Sequence, residues 1–228
     1  MQFSNAIQSR FLKAFHAGIV AVTLLIGSAG SSYAQENPGE SAWDGNEYAS
    51  ARLISATTAV GQDEALRLGL QFRMQPGWKI YWRSPGDAGL PPVADWTGSD
   101  NVEAVSMQWP VPKRFEIFDI GTLGYEDAVV FPLTVTPIHS GAPIQLNGEI
   151  DFLVCAEICI PGHASVALDL PTGKPDLASG AHLIDQYRAT VPATDTALAG
   201  MTVTHASLQH RPQDQVELGI TVTAQGAP

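Results

Sequence analysis

The sequence predicts an all-β fold: an immunoglobulin-like β-sandwich followed by the start of a second β domain. Two observations carry this prediction. Between Tyr48 and Leu170, short runs with β-branched or aromatic residues alternate with Gly, Pro, Asp and Asn, which is typical of strands joined by turns. No convincing amphipathic helix occurs among these runs, and six or more such strands favour two sheets packed face to face.

Each predicted strand follows from its own segment, taken in chain order. In the first and the last of them, apolar residues recur at every second position, as expected for a strand with one buried face. Leu66, Leu68 and Leu70 show this alternation in the first, and Val166 and Leu168 show it in the last. The predicted strands are ALRLGLQFRM (65–74), WKIYWR (78–83), VEAVSMQW (102–109), AVVFPLTVTP (128–137), IQLNGEIDFLVC (144–155) and ASVALDL (164–170).

The region after these strands indicates a boundary and a second domain. LPTGKPDLASG (170–180) is rich in Pro, Gly and Ser, AHLIDQYRATVP (181–192) predicts a short helix, and residues 201–210 and 215–224 predict two strands. Two strands are too few for a stable domain, so we interpret the chain as the front portion of a longer protein. The predicted organisation is a signal peptide (1–34), a flexible mature N-terminus (35–47), the immunoglobulin-like domain (48–172), a linker with a short helix (173–194) and the truncated start of a second β domain (195–228).

The segment before the sandwich has the composition of an export signal. Arg10 and Lys13 give a basic start, residues 17–30 are apolar, and SSYA (31–34) ends in small residues. The apolar run is shorter than the roughly 20 residues that a membrane span needs. We therefore expect a secretory signal peptide cleaved after Ala34 and an exported protein.

The charge balance excludes one class of partner. The chain has 12 Lys and Arg against 23 Asp and Glu, a net charge of −11, and the predicted signal peptide contains only basic members of this set. Nucleic acids and anionic membrane surfaces are poor partners for such a chain. We expect no nucleic-acid binding.

Both cysteines, Cys155 and Cys159, lie in DFLVCAEICIPGHASVALDL (151–170). Outside the cytoplasm, a pair of this kind is expected to form a disulfide. A disulfide needs Cα atoms within about 4.4–6.8 Å, whereas four steps along an extended strand span roughly 13 Å. Residues 156–158 must therefore curl into a tight turn, for which we expect a helical turn or an α-turn.

Three interpretations of the pair remain open at this point. A ring this small restrains the unfolded chain weakly, by about 2 kcal/mol in the chain-entropy model, and small disulfides in turns are more often exchangeable. These arguments favour redox function over a structural staple. The third interpretation is a metal site, because two thiolates and the imidazole of His163 suit Cu(I).

The neighbours of the pair in the sequence predict a reducing couple. No Lys or Arg lies near the cysteines in the sequence, and Glu157 between them opposes a thiolate, although a protonated His163 supports one. A dithiol without a stabilised thiolate forms a comparatively stable disulfide.

Elsewhere in the sequence there is no GxSxG, HExxH or P-loop motif. The segment PGDAGLPP (85–92) is expected to be a rigid surface turn.

Three segments together resemble the N-terminal periplasmic domain of the DsbD family, and most closely its ScsB-like, suppressor-of-copper-sensitivity branch. They are GWKIYWRSPGDAGLPP (77–92), WPVPKRFEIFDIGTLGYEDAVVFPLTV (109–135) and DFLVCAEICIPGHASVALDL (151–170). The resemblance covers about residues 45–172. It implies an immunoglobulin-like domain with a redox cysteine pair, which receives electrons from a membrane domain supplied by cytoplasmic thioredoxin and passes them to periplasmic disulfide proteins.

The resemblance also implies roles for individual residues. Cys155 and Cys159 match the exchanging pair, and the family precedent makes Cys159 the cysteine that meets the partner. KRFEIFDIGTLGY (113–125) lies where the family has a cap loop whose aromatic ring covers the sulfurs, which makes Phe118 or Phe115 the candidate shield. The family's best-known members separate their cysteines by more residues, so partner fit and potential are expected to differ here.

Tyr81 matches an aromatic position near the pair. For Tyr81 and Phe115, packing in a β core is the alternative explanation. The implied partners are a DsbD-like membrane electron-transfer domain, a thioredoxin-like domain and periplasmic disulfide-containing proteins. This chain contains neither of those two domains.

We therefore expect a periplasmic protein-disulfide reductase module, a thiol-disulfide oxidoreductase that needs no bound cofactor beyond the Cys155–Cys159 disulfide. The resemblance also implies that full-length relatives are anchored in the inner membrane. The alternative is a Cu(I)-binding copper-tolerance module that uses the same cysteines and His163. A third hypothesis is an immunoglobulin-like interaction domain in which the disulfide is only a staple.

Overall fold

The computed structural model describes residues 38–117, 120–193, 200–211 and 215–224, and these residues form antiparallel strands and one short helix. All six strands predicted between residues 65 and 170 are present. In chain order the elements are β1 (Asp44–Gly45), β2 (Ala49–Ser55), β3 (Leu66–Met74), β4 (Lys79–Gly86), β5 (Val93–Asp95), β6 (Val102–Met107), β7 (Lys113–Ile117), β8 (Ile120–Glu126), β9 (Ala128–Pro137), β10 (Ile144–Cys155), β11 (Cys159–Leu170), α1 (Ala181–Arg188), β12 (Met201–Arg211) and β13 (Gln215–Ala224).

Two antiparallel sheets enclose the core. The first has the strand order β1-β2-β3-β9-β6, and the second has the order β11-β10-β4-β8-β7, with β5 paired to β10. Phe72 of the first sheet packs edge to face against Phe152 of the second, with ring centroids 5.3 Å apart. Phe131, which belongs to the same sheet as Phe72, also packs edge to face against it, with ring centroids 5.9 Å apart. This arrangement confirms the predicted immunoglobulin-like sandwich.

The alternation of β10 and β11 decides which side chains face outward. Ile150, Phe152 and Val154 of β10 are buried in the core, as are the even-numbered apolar residues of β11 from Ala164 to Leu170. The odd-numbered residues of both strands therefore point to the outer face of the second sheet, because successive side chains alternate between the two faces. Both cysteines belong to this odd-numbered set.

Helix α1 packs on the first sheet. Ile184 is fully buried in a cluster with Ile54 and Val130. Gly69 leaves the space for this contact, since an added Cβ there would lie 3.2 Å from Ile184 and 2.6 Å from Val130. The segment predicted as a linker (173–194) thus contributes a packed helix.

The two ends of the described chain also form strands. Residues 38–47 were expected to be flexible, but Glu40 forms a β-bridge with Ile54, and β1 pairs with β2. The two strands predicted after residue 200 are confirmed as β12 and β13, which pair with each other. The predicted signal peptide (1–34) lies outside the described residues. Within the described ranges, no helix reaches the length and apolarity that a membrane span requires.

Candidate redox site

The cysteine pair closes the end of a long β-hairpin. β10 and β11 are in register from Ile144 and Leu170 to Cys155 and Cys159, which are bonded to each other with Cα atoms 4.1 Å apart. Directly opposite residues of antiparallel strands come this close without any helical segment, at about 4.5 Å in non-hydrogen-bonded pairs. The predicted tight turn at residues 156–158 is confirmed, but the expected helical turn or α-turn is wrong, because strand pairing continues up to the cysteines.

The two cysteines differ in their exposure to solvent. Cys155 is 1% exposed, whereas Cys159 is exposed. The difference follows from strand order, because β10 is flanked by β11 and β4, and β11 lies at the edge of the sheet. A macromolecular partner can therefore approach Cys159 more readily than Cys155.

Tyr81 of β4 lies beside the accessible sulfur, as the resemblance implied. Its hydroxyl oxygen is 3.9 Å from Cys159 Sγ, and the side chain is buried. Burial raises the pKa of Tyr81, so the hydroxyl stays protonated at neutral pH and can donate a hydrogen bond to the sulfur. The loop expected to be a surface turn (85–92) packs on this ring, since a Cβ at Gly89 would lie 2.3 Å from Tyr81 Cε1.

Lys79 is the residue of this site that the sequence reasoning missed. It lies directly opposite Cys155 in the antiparallel pairing of β4 with β10, and it is only 6% exposed. Desolvation lowers its pKa. Its Nζ atom lies 4.9 Å from the ring centroid of Phe115. The alternation of WKIYWR places Lys79 on the same face as Tyr81, and this was the one signal in the sequence that could have identified it.

The predicted cap segment is mostly a hairpin. β7 and β8 pair along the outer edge of the second sheet. Phe115 is half-buried in β7, in contact with Lys79, the neighbour of Cys155. Phe118, the other candidate shield, lies outside the described residues.

His163 does not join the cysteines, which corrects the expected Cu(I) ligand set. Its Nδ1 lies 2.7 Å from Asp151 Oδ1, and its Nε2 lies 2.8 Å from Glu149 Oε2. These two carboxylates raise the pKa of His163. Four residues of extended strand, roughly 13 Å, separate His163 from Cys159. Among the residues that the structure describes, no group of three His, Cys, Asp or Glu side chains could hold a metal ion.

An apolar groove of about 360 Å³ lies next to the pair. Leu90 and Val93 line the groove and are each 63% exposed. Leu153 and Pro161 also line it. These two residues face each other across β10 and β11, two positions from the cysteines, or about 7 Å along the strands. The full lining is Leu90, Pro91, Val93, Asp151, Phe152, Leu153, Pro161 and Gly162.

Comparisons with a family model and with solved structures found three similarities. A family model described as thiol:disulfide interchange protein DsbD, N-terminal, matches residues 50–171. The N-terminal periplasmic domain of ScsB from Proteus mirabilis is 25% identical, with 82% of this chain and 86% of that chain covered and a TM-score of 0.56. The reduced N-terminal domain of DsbD from Neisseria meningitidis is 16% identical, with 60% of this chain and 90% of that chain covered and a TM-score of 0.30. No curated protein matches the sequence.

Proposed function

Since the chain belongs to the family of DsbD N-terminal thiol:disulfide interchange domains, whose model matches residues 50–171, we propose that it is a periplasmic protein-disulfide reductase module. Cys155 and Cys159 form its exchanging pair. A DsbD-like membrane domain supplies the electrons, and thioredoxin-like and other periplasmic proteins with disulfides receive them. The periplasmic location is supported by the similar ScsB domain, which is described as periplasmic.

The observation that carries this proposal is the disulfide between one exposed and one buried cysteine. A thiolate of the electron-donating dithiol attacks Cys159 Sγ, and the electron pair of the S–S bond passes to Cys155 Sγ, which leaves as a thiolate. The second donor thiolate then attacks its own sulfur in the mixed disulfide. This step releases the donor as a disulfide and Cys159 as a thiolate, so two electrons have entered the pair.

Electrons leave by the reverse chemistry. The Cys159 thiolate attacks a disulfide of the acceptor protein, and one acceptor sulfur departs as a thiolate. Cys155 then attacks Cys159 in the mixed disulfide, which restores the internal bond and releases the second acceptor thiolate. Tyr81 supports both directions, because its hydroxyl, 3.9 Å from Cys159 Sγ, can donate to the anion that forms there.

The groove provides a surface for the acceptor. A segment bonded to Cys159 starts within about 7 Å of Leu153 and Pro161, and the exposed Leu90 and Val93 offer it apolar contacts. We therefore expect acceptor proteins to place an apolar segment here, next to their reactive cysteine. Phe115 and Phe118 retain the proposed role of a cap that shields the reduced sulfurs until a partner displaces it.

Single-cysteine variants test the exchange function. Cys155→Ser leaves the accessible Cys159 without its resolving partner, so mixed disulfides with periplasmic proteins should accumulate. Cys159→Ser is the matched control and should trap far fewer, because Cys155 is buried. If neither variant traps a protein and the reduced chain transfers no electrons to protein disulfides, the pair is a staple and the proposal fails.

The direction of electron flow needs a separate measurement. Equilibration of the pair with a glutathione redox buffer gives its reduction potential. A reducing value is expected for an electron donor. A potential as oxidising as that of dedicated disulfide donors, about −120 mV, would contradict the reductase assignment while leaving the exchange chemistry intact.

A further inference from the structure

The structure assigns a further role to Lys79, one that rests on the proposed exchange function. We propose that the Lys79 ammonium group pairs with the Cys155 thiolate when the disulfide is open and with the Phe115 ring when it is closed. Lys79 would then be a positioning residue that links the redox state of the pair to the hairpin of β7 and β8.

The strand register brings the lysine and the cysteine together. Lys79 and Cys155 are direct partners across β4 and β10. Side chains at such positions point to the same face, with Cβ atoms about 4.5–5.5 Å apart. A lysine side chain is long enough to bring its ammonium group to the neighbouring sulfur. Both residues are buried, at 6% and 1% exposure, so their interaction is shielded from solvent.

The exchange chemistry creates a need for this cation. Attack on the exposed Cys159 sends the electron pair of the S–S bond to Cys155, so the anion appears at the buried sulfur. An uncompensated anion is costly in a desolvated site. No proton has to move in the proposed step, because Lys79 supplies the opposite charge.

The other charged groups around the site are already paired or lie elsewhere. Glu126 is the partner of Lys79 on β8, but its Oε1 lies 2.6 Å from Lys113 Nζ. Glu157 is exposed in the hairpin loop. The Tyr81 hydroxyl lies at the other sulfur. Among the described residues Lys79 has no carboxylate within ion-pair distance.

The closed disulfide leaves Phe115 as the partner of the cation. Its ring centroid is 4.9 Å from Lys79 Nζ, within the range of a cation–π contact. When Cys155 becomes an anion, it competes with the ring for the same ammonium group. Opening the disulfide should therefore shift the ammonium group from the ring toward Cys155 Sγ.

A titration of the Cys155 thiol tests this role without any protein partner. In the full chain carrying Cys159→Ser, the thiolate is followed by its ultraviolet absorbance as pH rises. Lys79→Met should raise the pKa of Cys155 by about one unit, a tenfold loss of thiolate below the midpoint. Lys79→Arg should keep most of the effect. Phe115→Ala should shift the pKa in the opposite direction, because the thiolate no longer competes with the ring.

The double variant separates this role from a change in solvent access. Phe115→Ala also admits water, which by itself favours a thiolate. If the lysine mediates the effect, Phe115→Ala should have little effect on the Cys155 pKa in the Lys79→Met background. An equal shift in both backgrounds, or no shift with Lys79→Met, would overturn the proposal.

A matched control removes a different cation. Lys174→Met takes an exposed lysine from the segment between β11 and α1, and should leave the Cys155 pKa unchanged. Circular dichroism identifies a variant that unfolds. If Lys79→Met unfolds, Lys79→Gln replaces it, and the same shifts of the Cys155 pKa are expected. The titration and the trapping of partners are independent, so failure of one does not imply failure of the other.

Discussion

The hydroxyl of Tyr81 lies 3.9 Å from the Sγ atom of Cys159, the exposed member of the cysteine pair. Tyr81→Phe removes this donor and keeps the packing of the ring. In a reduced Cys155→Ser chain, we expect the Cys159 thiolate to lose about 1 kcal/mol of stabilisation, so that alkylation at neutral pH slows about fivefold. Alkylation rates measured across pH should show the change as a higher thiol pKa.

Tyr187→Phe is the matched control for this change. The Tyr187 hydroxyl donates to Ala128 O at 3.0 Å, in the contact of α1 with the first sheet. Its removal should leave the reactivity of Cys159 unchanged. Equal reactivity of Tyr81→Phe and the parent chain would show that Tyr81 is only a packing residue.

Gly89 lies against the Tyr81 ring. Gly89→Ala would place a Cβ 2.3 Å from that ring at a φ of +100°, so the ring or the loop must move. Gly77→Ala has a similar φ of +82° but no atom within 4 Å of the added Cβ. We expect Gly77→Ala to cost about 1–2 kcal/mol from backbone strain and Gly89→Ala about 1–3 kcal/mol more from overpacking.

Urea unfolding measures these two costs, and alkylation of Cys155 in the Cys159→Ser chain measures the opening of the site. Gly89→Ala should speed the alkylation, whereas Gly77→Ala should not. Equal unfolding free energies for the two variants would mean that the loop yields to the methyl group without disturbing Tyr81.

We expect the apolar groove to affect the rate of exchange with protein disulfides only. Leu90→Asp places a charge in its wall and should lower the rate of exchange with a periplasmic disulfide protein severalfold. Exchange with a small disulfide such as oxidised glutathione should be unchanged, because a small molecule needs only Cys159. Stopped-flow rates with both oxidants distinguish these effects.

Leu177→Asp controls for the added charge, since Leu177 is 79% exposed and does not line the groove. Its exchange rates should equal those of the parent chain. A Leu90→Asp chain that reacts normally with protein disulfides would exclude the groove as the acceptor surface.

His163 should give the fold a small dependence on pH. Asp151, and then Glu149, raise its pKa above the ordinary value of 6.5, so the folded chain holds the proton more tightly than the unfolded chain. The resulting stabilisation is complete below the unfolded pKa and is lost as pH rises through the higher folded pKa. Because the groups are exposed, the effect is screened by solvent.

Urea unfolding of the parent and His163→Gln chains at several pH values measures this contribution. The difference in unfolding free energy should be largest below about pH 6.5 and should shrink at higher pH. His182→Gln, an exposed change on α1, is the control. A difference that grows with pH would contradict the assignment.

The parts of the fold that could be predicted are those that depend on neighbours in the sequence. The period of two in β3 and β11 and the short separation of Cys155 and Cys159 were sufficient for the strands and the tight turn. β2 was missed because its sequence, ASARLIS, has two small alanines at buried positions. β7 and β8 were assigned to a cap loop from the resemblance, although they pair as strands.

The chemistry of the site depended on contacts that no local pattern contains. Which residue lies opposite Cys155 is set by the register of β4 against β10, two strands far apart in the chain. The order of strands in this sheet also buries Cys155 and exposes Cys159. The pairing of β10 with β11 holds His163 between two carboxylates instead of beside the sulfurs. From residue order alone one can read which side chains share a strand face, whereas the charge next to each sulfur is decided only when distant strands pair.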